Sequence, residues 1–281
     1  MMSNIAIKAI HKAMATKLGH QTIMQALPLY GLDQISPFIL LHHFDVTVQP
    51  GEDAFSVPPH PHRGFCPITY IYDGAIQHND SLGNHKVIYS DEVQWINANR
   101  GIIHGEQLPK EFLETGGRFQ GIQLWINLPA SKKMAPPYYQ PITKEEIVLT
   151  ERDGVEFRLV SGTYNGEKGP ADSNVITATM RMKEGSSYTL DLPVENNSCI
   201  YVLEGLVQIN NAEIDKNSLV EFANEAGTIQ IAAMASAKLL VLSGGPINEP
   251  LVTHGPFVMN TQTEIMEAMR DYQQGKMGFL Y

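Results

Sequence analysis

The sequence predicts an all-β protein of two similar, tandem β-barrel domains followed by a short C-terminal helix. Three observations lead to this prediction: short alternating apolar runs, a repeated segment, and two histidine-containing pairs with the spacing of residues on strands. At 281 residues the chain is long enough for two domains of ordinary size. A hydrophobic content of 43% supports a substantial core.

Short apolar runs recur along the chain, at residues 38–41, 68–76, 86–89, 94–96 and 121–127. Gly, Pro, Asn and Asp residues separate them, which is typical of an antiparallel β domain. Residues 128–142 contain four prolines and predict a connector. The strand pattern resumes at residue 147 and continues to about residue 242. We therefore expect an N-terminal barrel at residues 1–133 and a C-terminal barrel at residues 134–281.

An internal repeat supports duplication of one architecture. Residues 70–80 (YIYDGAIQHND) and 201–211 (YVLEGLVQINN) share Tyr, Gly, Gln and Asn at matching positions. Carried across at the same offset, His60 and His62 fall on Asp191 and Pro193. His104 and Glu106 fall near Gln230 and Ala232. The C-terminal barrel is thus expected to have lost the ligand residues of the N-terminal one.

The C-terminal segment predicts one amphipathic helix. Residues 261–264 have the form of a capping box, and Ile265, Met269 and Tyr272 follow at helical spacing. Gly275 is placed to end the helix. We expect this helix to close against the second barrel, with its apolar stripe used for packing.

The charge and the cysteines exclude several classes of function. A formal charge of -10 repels phosphate backbones, and the densest basic spot, Lys132 and Lys133, is too small for a nucleic-acid patch. Cys66 and Cys199 stand 133 residues apart and form no disulfide framework, as expected in a reducing cytosol. No uninterrupted apolar segment has the length of a signal peptide core or a membrane span. A cytoplasmic protein without membrane or direct nucleic-acid partners is expected.

Two residue pairs predict a metal site. His60 and His62 flank Pro61, and His104 and Glu106 flank Gly105. Residues i and i+2 of a strand point to the same face, so each pair presents two ligand-type side chains together. Three imidazoles and a carboxylate suit Fe, Mn, Co, Ni, Cu or Zn, and they leave positions open for a substrate or dioxygen. The absence of thiolates argues against a closed structural zinc site.

Other polar and aromatic residues have structural interpretations. His42 and His43 are expected at a polar strand end, with one of the two facing inward. His78 and His85 flank a turn and are expected to be solvated. Trp95 is expected in the core, the alternative being an aromatic wall for a planar ligand. Cys66 is expected to pack as a small buried hydrophobe.

These motifs together resemble the pirin family, two-barrel members of the cupin superfamily, over essentially the whole chain. The resemblance lies in residues 36–41, 60–65, 78–81, 94–95, 100–106, 133–136 and 255–261. It implies two jelly-roll cupin barrels, the second degenerate in metal ligands, and one metal, usually iron, in the first. The ligands it implies are His60, His62, His104 and Glu106.

The sequence departs from the family pattern at two places beside the motifs. Cys66-Pro67 replaces Glu-Thr, and a proline within a strand predicts an edge or a bulge there. Asn99 replaces a turn glycine, which is compatible with a positive φ because Asn tolerates that conformation. The ligands are unaffected, but the pocket wall beside the metal is expected to be reshaped.

Two functions from different classes fit the resemblance. The first is a quercetin 2,3-dioxygenase-like oxidoreductase that opens a planar flavonol-type ring with O2, with Fe(II) the expected metal and Glu106 as the catalytic base. The alternative is a non-catalytic, redox-sensitive iron protein that regulates a protein partner. The open coordination positions favour the enzyme, and a monomer is expected.

Overall fold

The computed structural model describes residues 3–18, 21–52 and 55–280. Within those ranges the chain forms 26 strands and three helices. The elements up to residue 142 are Ile7–Lys12 (β1), Met14–Leu18 (β2), Gln21–Leu27 (β3), Phe38–Val48 (β4), Ser56–His62 (β5), Phe65–Asp73 (β6), Ala75–Asp80 (β7), His85–Tyr89 (β8), Val93–Asn97 (β9), Ile102–Gln107 (β10), Lys110–Thr115 (α1), Gly117–Asn127 (β11), Ala130–Lys133 (α2) and Tyr138–Ile142 (β12).

The remaining elements are again almost all strands. They are Val148–Arg152 (β13), Val155–Ser161 (β14), Thr163–Tyr164 (β15), Glu167–Lys168 (β16), Ile176–Met182 (β17), Ser187–Leu190 (β18), Asn197–Glu204 (β19), Leu206–Ile209 (β20), Ala212–Asp215 (β21), Ser218–Phe222 (β22), Ile229–Ala233 (β23), Ala237–Gly244 (β24), Val252–His254 (β25), Phe257–Met259 (β26) and Gln262–Gln273 (α3). None of the described helices is long and apolar enough to cross a membrane.

The chain divides into two compact units. The histidine unit comprises Thr16–Ile23, Phe38–Lys144 and Ile247–Tyr281, and the aliphatic unit comprises Met1–Ala15, Met24–Pro37 and Glu145–Pro246. Each unit thus contains residues from both sides of position 133. A single domain boundary after residue 133 stays a prediction. Strand β1 pairs with β22 in the aliphatic unit. Helix α3 belongs to the histidine unit, where Ile265 and Ala268 pack with Ile103 and Met277.

Each unit has a seven-stranded and a four-stranded antiparallel sheet with a similar strand arrangement, and in addition one two-stranded sheet. In the histidine unit the orders are β12-β9-β6-β11-β4-β3-β2 and β5-β10-β7-β8. In the aliphatic unit they are β1-β22-β19-β24-β17-β14-β13 and β18-β23-β20-β21. The four-stranded sheets correspond strand for strand, which confirms the predicted all-β, duplicated jelly-roll architecture.

The repeated segment forms equivalent hairpins in the two units. Gly74 separates β6 from β7 and Gly205 separates β19 from β20, with φ values of 88° and 84°. A Cβ atom at either position would collide with a neighbouring carbonyl oxygen, that of Arg118 or of Ser236. The shared glycine is thus required both by the left-handed backbone and by close packing.

The connector and the end of α3 differ in part from expectation. Residues 138–142 form β12, an edge strand paired with β9, in which Pro141 is tolerated because one side of an edge strand needs no ladder donor.

The capping box of Thr261 and Glu264 is present, and Gly275 follows the helix with a φ of 72°. Met269 and Tyr272 are exposed, so the predicted apolar stripe is narrower than its sequence suggested.

The prediction of an edge or bulge at Pro67 was wrong. Strand β6 lies between β9 and β11, and the register with β11 is regular at Pro67. The ladder between β6 and β9 covers only Ile68 to Tyr70, so Pro67 lies just before it begins and its missing N–H interrupts no pair of that ladder. Asn99 has a φ of 41°, as its replacement of a turn glycine predicted.

Candidate metal centre

The two histidine-containing pairs lie on neighbouring antiparallel strands. His60 and His62 end β5, and His104 and Glu106 lie on β10. His104 is directly opposite His60, and Ile102 is opposite His62. Directly opposed residues of an antiparallel pair share a face, so the three imidazoles converge as the i, i+2 spacing predicted. The register shifts between His104 and Glu106, so Glu106 pairs with Val57.

The three imidazoles form a compact group that could hold a metal ion. One ring nitrogen from each of His60, His62 and His104 lies within 4.8 Å of the others. The Nε2 atoms of His60 and His62 are 3.0 Å apart, and the ring centroid of His104 is 4.4 Å from that of His60. His62 and His104 are 2% and 0% exposed, and His60 is half-buried. It is the one such group of three or more ligand-type side chains found among the described residues.

The protonation of these rings suits metal binding. Burial first, and then the neighbouring histidines, lower the pKa values of His62 and His104 well below the usual range, so both rings are neutral at pH 7. His60 Nδ1 lies 2.9 Å from the carbonyl oxygen of Pro58. Donation to that oxygen leaves the lone pair on Nε2, and such a hydrogen bond commonly orients a metal-ligating histidine.

His104 supplies an independent indication that the group fits a metal. Both of its ring nitrogens are buried, and neither has a hydrogen-bond partner among the described residues. Buried polar atoms are normally paired, because an unpaired one forfeits its hydration without compensation. A cation bound by one nitrogen would remove much of that cost.

Glu106 is buried beside the group rather than within it. Its side chain is 2% exposed, and its Oε1 atom accepts a hydrogen bond from Nε2 of Gln94. The set of mutually close ligand atoms contains the three histidines and not Glu106. Gln94 had no predicted role, although residues 94–95 are among the motifs that resemble the pirin family.

His78 contradicts the expectation of a solvated turn residue. The ring is 0% exposed and stacks parallel to the ring of Tyr139, with centroids 4.1 Å apart. It is opposite Glu106 in the β7–β10 register, so it shares the buried face with the histidine group. Its Nε2 atom is 2.9 Å from Oδ2 of Asp80. Strand alternation places every second residue of β7 inward, and the nearby turn obscured that period.

The aromatic residues next to the histidine group are Phe65 and Trp125 rather than Trp95. Trp95 is 1% exposed and belongs to the core, as predicted. The aromatic wall is formed instead by Phe65 and Trp125, whose centroids lie 5.0 and 5.3 Å from that of His62. Cys66 is buried as expected, and burial raises the pKa of its thiol to about 12, which makes it unreactive at neutral pH.

Two buried cations hold the backbone next to His62. Arg63 donates from Nη1 and Nη2 to Oδ2 of Asp271 on α3, both at 3.1 Å, and from Nε to the Arg100 carbonyl. Lys133 is 1% exposed and donates to the Gly64 carbonyl at 2.7 Å. A lysine in a proline-rich connector had no feature in the sequence that marked it as buried.

Three further histidines lie outside the group. His43 is buried near Gln120, and burial lowers the pKa of the partly exposed His42 to about 4. His85 is exposed, as predicted. None of these three belongs to the set of close ligand atoms.

In the aliphatic unit, apolar residues occupy the positions equivalent to the four predicted metal ligands. The repeat aligns His78 with Ile209, which pairs with Ile231 as His78 pairs with Glu106. Following the same registers gives the counterparts of His60, His62, His104 and Glu106, which are Leu190, Leu192, Ile229 and Ile231. All four are buried in an apolar core.

The expected loss of ligands in the second copy is therefore seen, but the positions predicted were wrong by one residue. Asp191, Pro193, Gln230 and Ala232 each lie one place beyond the counterpart that the sheet register defines. A one-residue slip exchanges the two faces of a strand, and Asp191 and Gln230 are accordingly exposed. Turn lengths differ between the copies, so alignment from one hairpin could not set the register of distant strands.

Comparison with known proteins identifies the family. A family model described as Pirin matches residues 20–126, and one described as Pirin C-terminal cupin domain matches residues 177–278. The chain is 36% identical over 248 residues to a Pseudomonas aeruginosa protein named provisionally as a quercetin 2,3-dioxygenase, covering 86% of each chain.

Solved structures give the same result. The crystal structure of quercetin 2,3-dioxygenase from Acinetobacter baumannii superposes with a TM-score of 0.92 at 33% identity, covering 99% of this chain and 100% of that one. A bacterial pirin from Escherichia coli, solved in complex with nickel(II), has a TM-score of 0.68 at 18% identity over 85% of this chain and 99% of that one, and shows a shared fold. With both halves matched and the histidine group in place, the chain belongs to the pirin family.

Proposed function

We propose that this protein is a metal-dependent dioxygenase that opens the ring of a flavonol-type substrate with O2. In this proposal His60, His62, His104 and Glu106 hold one divalent transition metal, Fe(II) in the first instance. The observation that carries it is the contrast between the two units. Four polar ligand-type residues, three of them buried and His60 half-buried, occupy positions that the duplicate fills with Leu and Ile. Burying polar groups costs stability, so a duplicated core retains them for a function.

The donor set limits the metal without selecting one. Imidazole nitrogens and a carboxylate accept Zn, Mn, Ni, Co or Cu as well as Fe. When bound, such an ion would act as a Lewis acid toward a substrate oxygen. The names of the P. aeruginosa relative and the A. baumannii structure support a quercetin-like substrate. Free, buried Cys66 and Cys199 support a reducing compartment such as the cytoplasm.

The residues of the chain have distinct roles in this proposal. Glu106 would accept the proton of the flavonol's enol hydroxyl, and the hydrogen bond from Gln94 would keep its carboxylate oriented. Neutral His62 and His104 would offer lone pairs without first losing a proton. The faces of Phe65 and Trp125 would supply apolar surface for a planar ring system.

The test is oxygen consumption by the Fe(II)-loaded protein with quercetin. His62→Ala removes one ligand from the group and should abolish uptake and lower the bound metal. His254→Ala removes an exposed histidine of the same unit and should leave both unchanged. Uptake by the wild type and the control but not by His62→Ala supports the dioxygenase.

The alternative regulatory function makes a different prediction in the same experiment. Full occupancy by iron without oxygen uptake from any flavonol would refute the dioxygenase. Binding of a protein partner only to the Fe(II) or only to the Fe(III) form would then support the regulator.

A further inference from the structure

His78 and Asp80 form a buried pair beside the candidate metal centre. Both side chains are 0% exposed, and Nε2 of His78 is 2.9 Å from Oδ2 of Asp80. The two residues lie opposite Glu106 and His104 in the β7–β10 ladder. The ring centroid of His78 is 5.4 Å from that of His104. The pair therefore lies on the same sheet face as the proposed ligands, next to His104, without belonging to the ligand group.

The surroundings of Asp80 determine which nitrogen of His78 carries the proton. Oδ1 of Asp80 accepts hydrogen bonds from the backbone N–H groups of Leu82 and Asn84, at 2.9 and 3.0 Å. The Asn84 amide donates to both oxygens, at 3.1 and 2.8 Å. A carboxylate with this many donors is an acceptor only, so the proton toward Asp80 resides on Nε2 of His78. In the neutral ring, Nδ1 then carries a lone pair.

That lone pair has no partner. Nδ1 of His78 is buried, and no described residue donates a hydrogen bond to it. The hydroxyl oxygen of Tyr139, whose ring stacks on His78, is also buried without a hydrogen-bond partner among the described residues. Tyr139 lies opposite Ile96, on the same face of the sheet as Gln94. The acceptor Nδ1 of His78 and the donor hydroxyl of Tyr139 thus both lack a hydrogen-bond partner among the described residues.

A hydroxyl group complements such a pair, because it donates and accepts at one oxygen. We infer that His78, oriented by Asp80, is a substrate-binding residue that accepts a hydrogen bond at Nδ1 from a substrate hydroxyl distinct from the one next to the metal, while Tyr139 donates to that hydroxyl. This inference rests on the proposed function, since it assigns recognition of a polyhydroxylated flavonol to the same site. In the aliphatic unit the counterparts of His78 and Asp80 are Ile209 and Asn211, which cannot form the pair.

The first experiment measures binding to the Zn(II)-loaded protein by quenching of tryptophan fluorescence, with two flavonols. Quercetin carries hydroxyl groups on both ring systems, whereas 3-hydroxyflavone carries only the hydroxyl assigned to the metal. His78→Phe keeps a stacking ring and removes the acceptor. We expect its Kd for quercetin to rise about five- to tenfold, the effect of one lost hydrogen bond, and its Kd for 3-hydroxyflavone to stay unchanged.

Two further variants guard against a folding artefact. Tyr139→Phe removes a single oxygen atom and should weaken quercetin binding in the same selective way. His85→Phe changes an exposed histidine on the neighbouring strand β8 and should bind both flavonols normally. Zinc content should be equal in all of these proteins, since none of the three residues belongs to the ligand group.

A spectroscopic readout tests the hydrogen bond itself. With 15N-labelled histidine, Nδ1 of His78 should resonate as an unprotonated nitrogen and should shift when quercetin, but not 3-hydroxyflavone, is added. A protonated Nδ1, an unchanged resonance with quercetin, or an equal loss of affinity for both flavonols in His78→Phe overturns the inference. Selective loss without oxygen uptake by the Fe(II) protein would refute the dioxygenase and retain the hydroxyl site. Absence of quercetin binding to the wild type overturns both.

Discussion

Replacement of Lys133 by Met should destabilise the histidine unit more than any other exchange of one lysine. The ammonium group donates to three oxygens, those of the Gly64 carbonyl at 2.7 Å, the Asn127 side chain at 2.6 Å and the Val258 carbonyl at 3.0 Å. Burial lowers the pKa of Lys133 to about 8, so the group is still charged at pH 7. One side chain thus joins β11, the turn between β5 and β6, and β26.

The magnitude follows from these contacts. Hydrogen bonds to a charged group contribute about 1.5 to 3 kcal/mol each, so three contribute roughly 4 to 9 kcal/mol. Desolvation of the ammonium opposes this by several kcal/mol, and that cost disappears in the variant. Met fills most of the volume of the Lys stem, so little cavity remains. We expect a net loss of about 3 kcal/mol in the free energy of unfolding.

The measurement is urea unfolding of the metal-free protein at pH 7, followed by tryptophan fluorescence. The two tryptophans, Trp95 and Trp125, both belong to the histidine unit, so the signal reports the unit that is perturbed. A loss of about 3 kcal/mol lowers the urea midpoint by about 1 to 2 M. Lys132→Met changes the adjacent, exposed lysine and is the matched control. Equal midpoints for the two variants would refute the assigned role of the buried ammonium.

Two more predictions concern the same unit. Because burial lowers the pKa values of His42, His62 and His104 while the unfolded chain takes up protons below about pH 6.5, the metal-free protein should lose stability between about pH 6.5 and 4. The free energy of unfolding should fall by up to about 1.4 kcal/mol per pH unit for each histidine. Urea midpoints measured across this pH range give that slope, and a stability that does not change with pH would contradict neutral rings. Asp271→Asn should cost about 2 kcal/mol in the same assay by leaving the buried Arg63 without its counterion, and a wild-type midpoint would show that α3 does not hold β5.

Much of the site could be predicted because it depends on strand period alone. Two histidines at i and i+2 share a face wherever the segment is extended, and His104 and Glu106 obey the same rule on β10. The convergence of the three histidines required only that these strands be neighbours. The capping box at Thr261 is equally local, since its hydrogen bonds span three residues.

Other features depend on pairings between distant segments. The burial of His78 follows from its place opposite Glu106, and the counterparts of the ligands in the aliphatic unit are set by the β18–β23 and β20–β23 registers. Turns of different length change such registers by one residue, which exchanges inward and outward faces. A hairpin repeat therefore predicted that the ligands were lost, but not which residues replaced them.

By itself the sequence determined the all-β duplicated architecture, the three histidines and the absence of a second ligand set, because these follow from local periodicity and residue chemistry. Only the tertiary structure decided what surrounds the histidines: the Asp80-oriented His78, the aromatic wall of Trp125 and the buried ammonium of Lys133. Each of these depends on contacts between segments far apart in the chain. Burial and hydrogen bonding are properties of the folded neighbourhood, and one residue's identity cannot encode them.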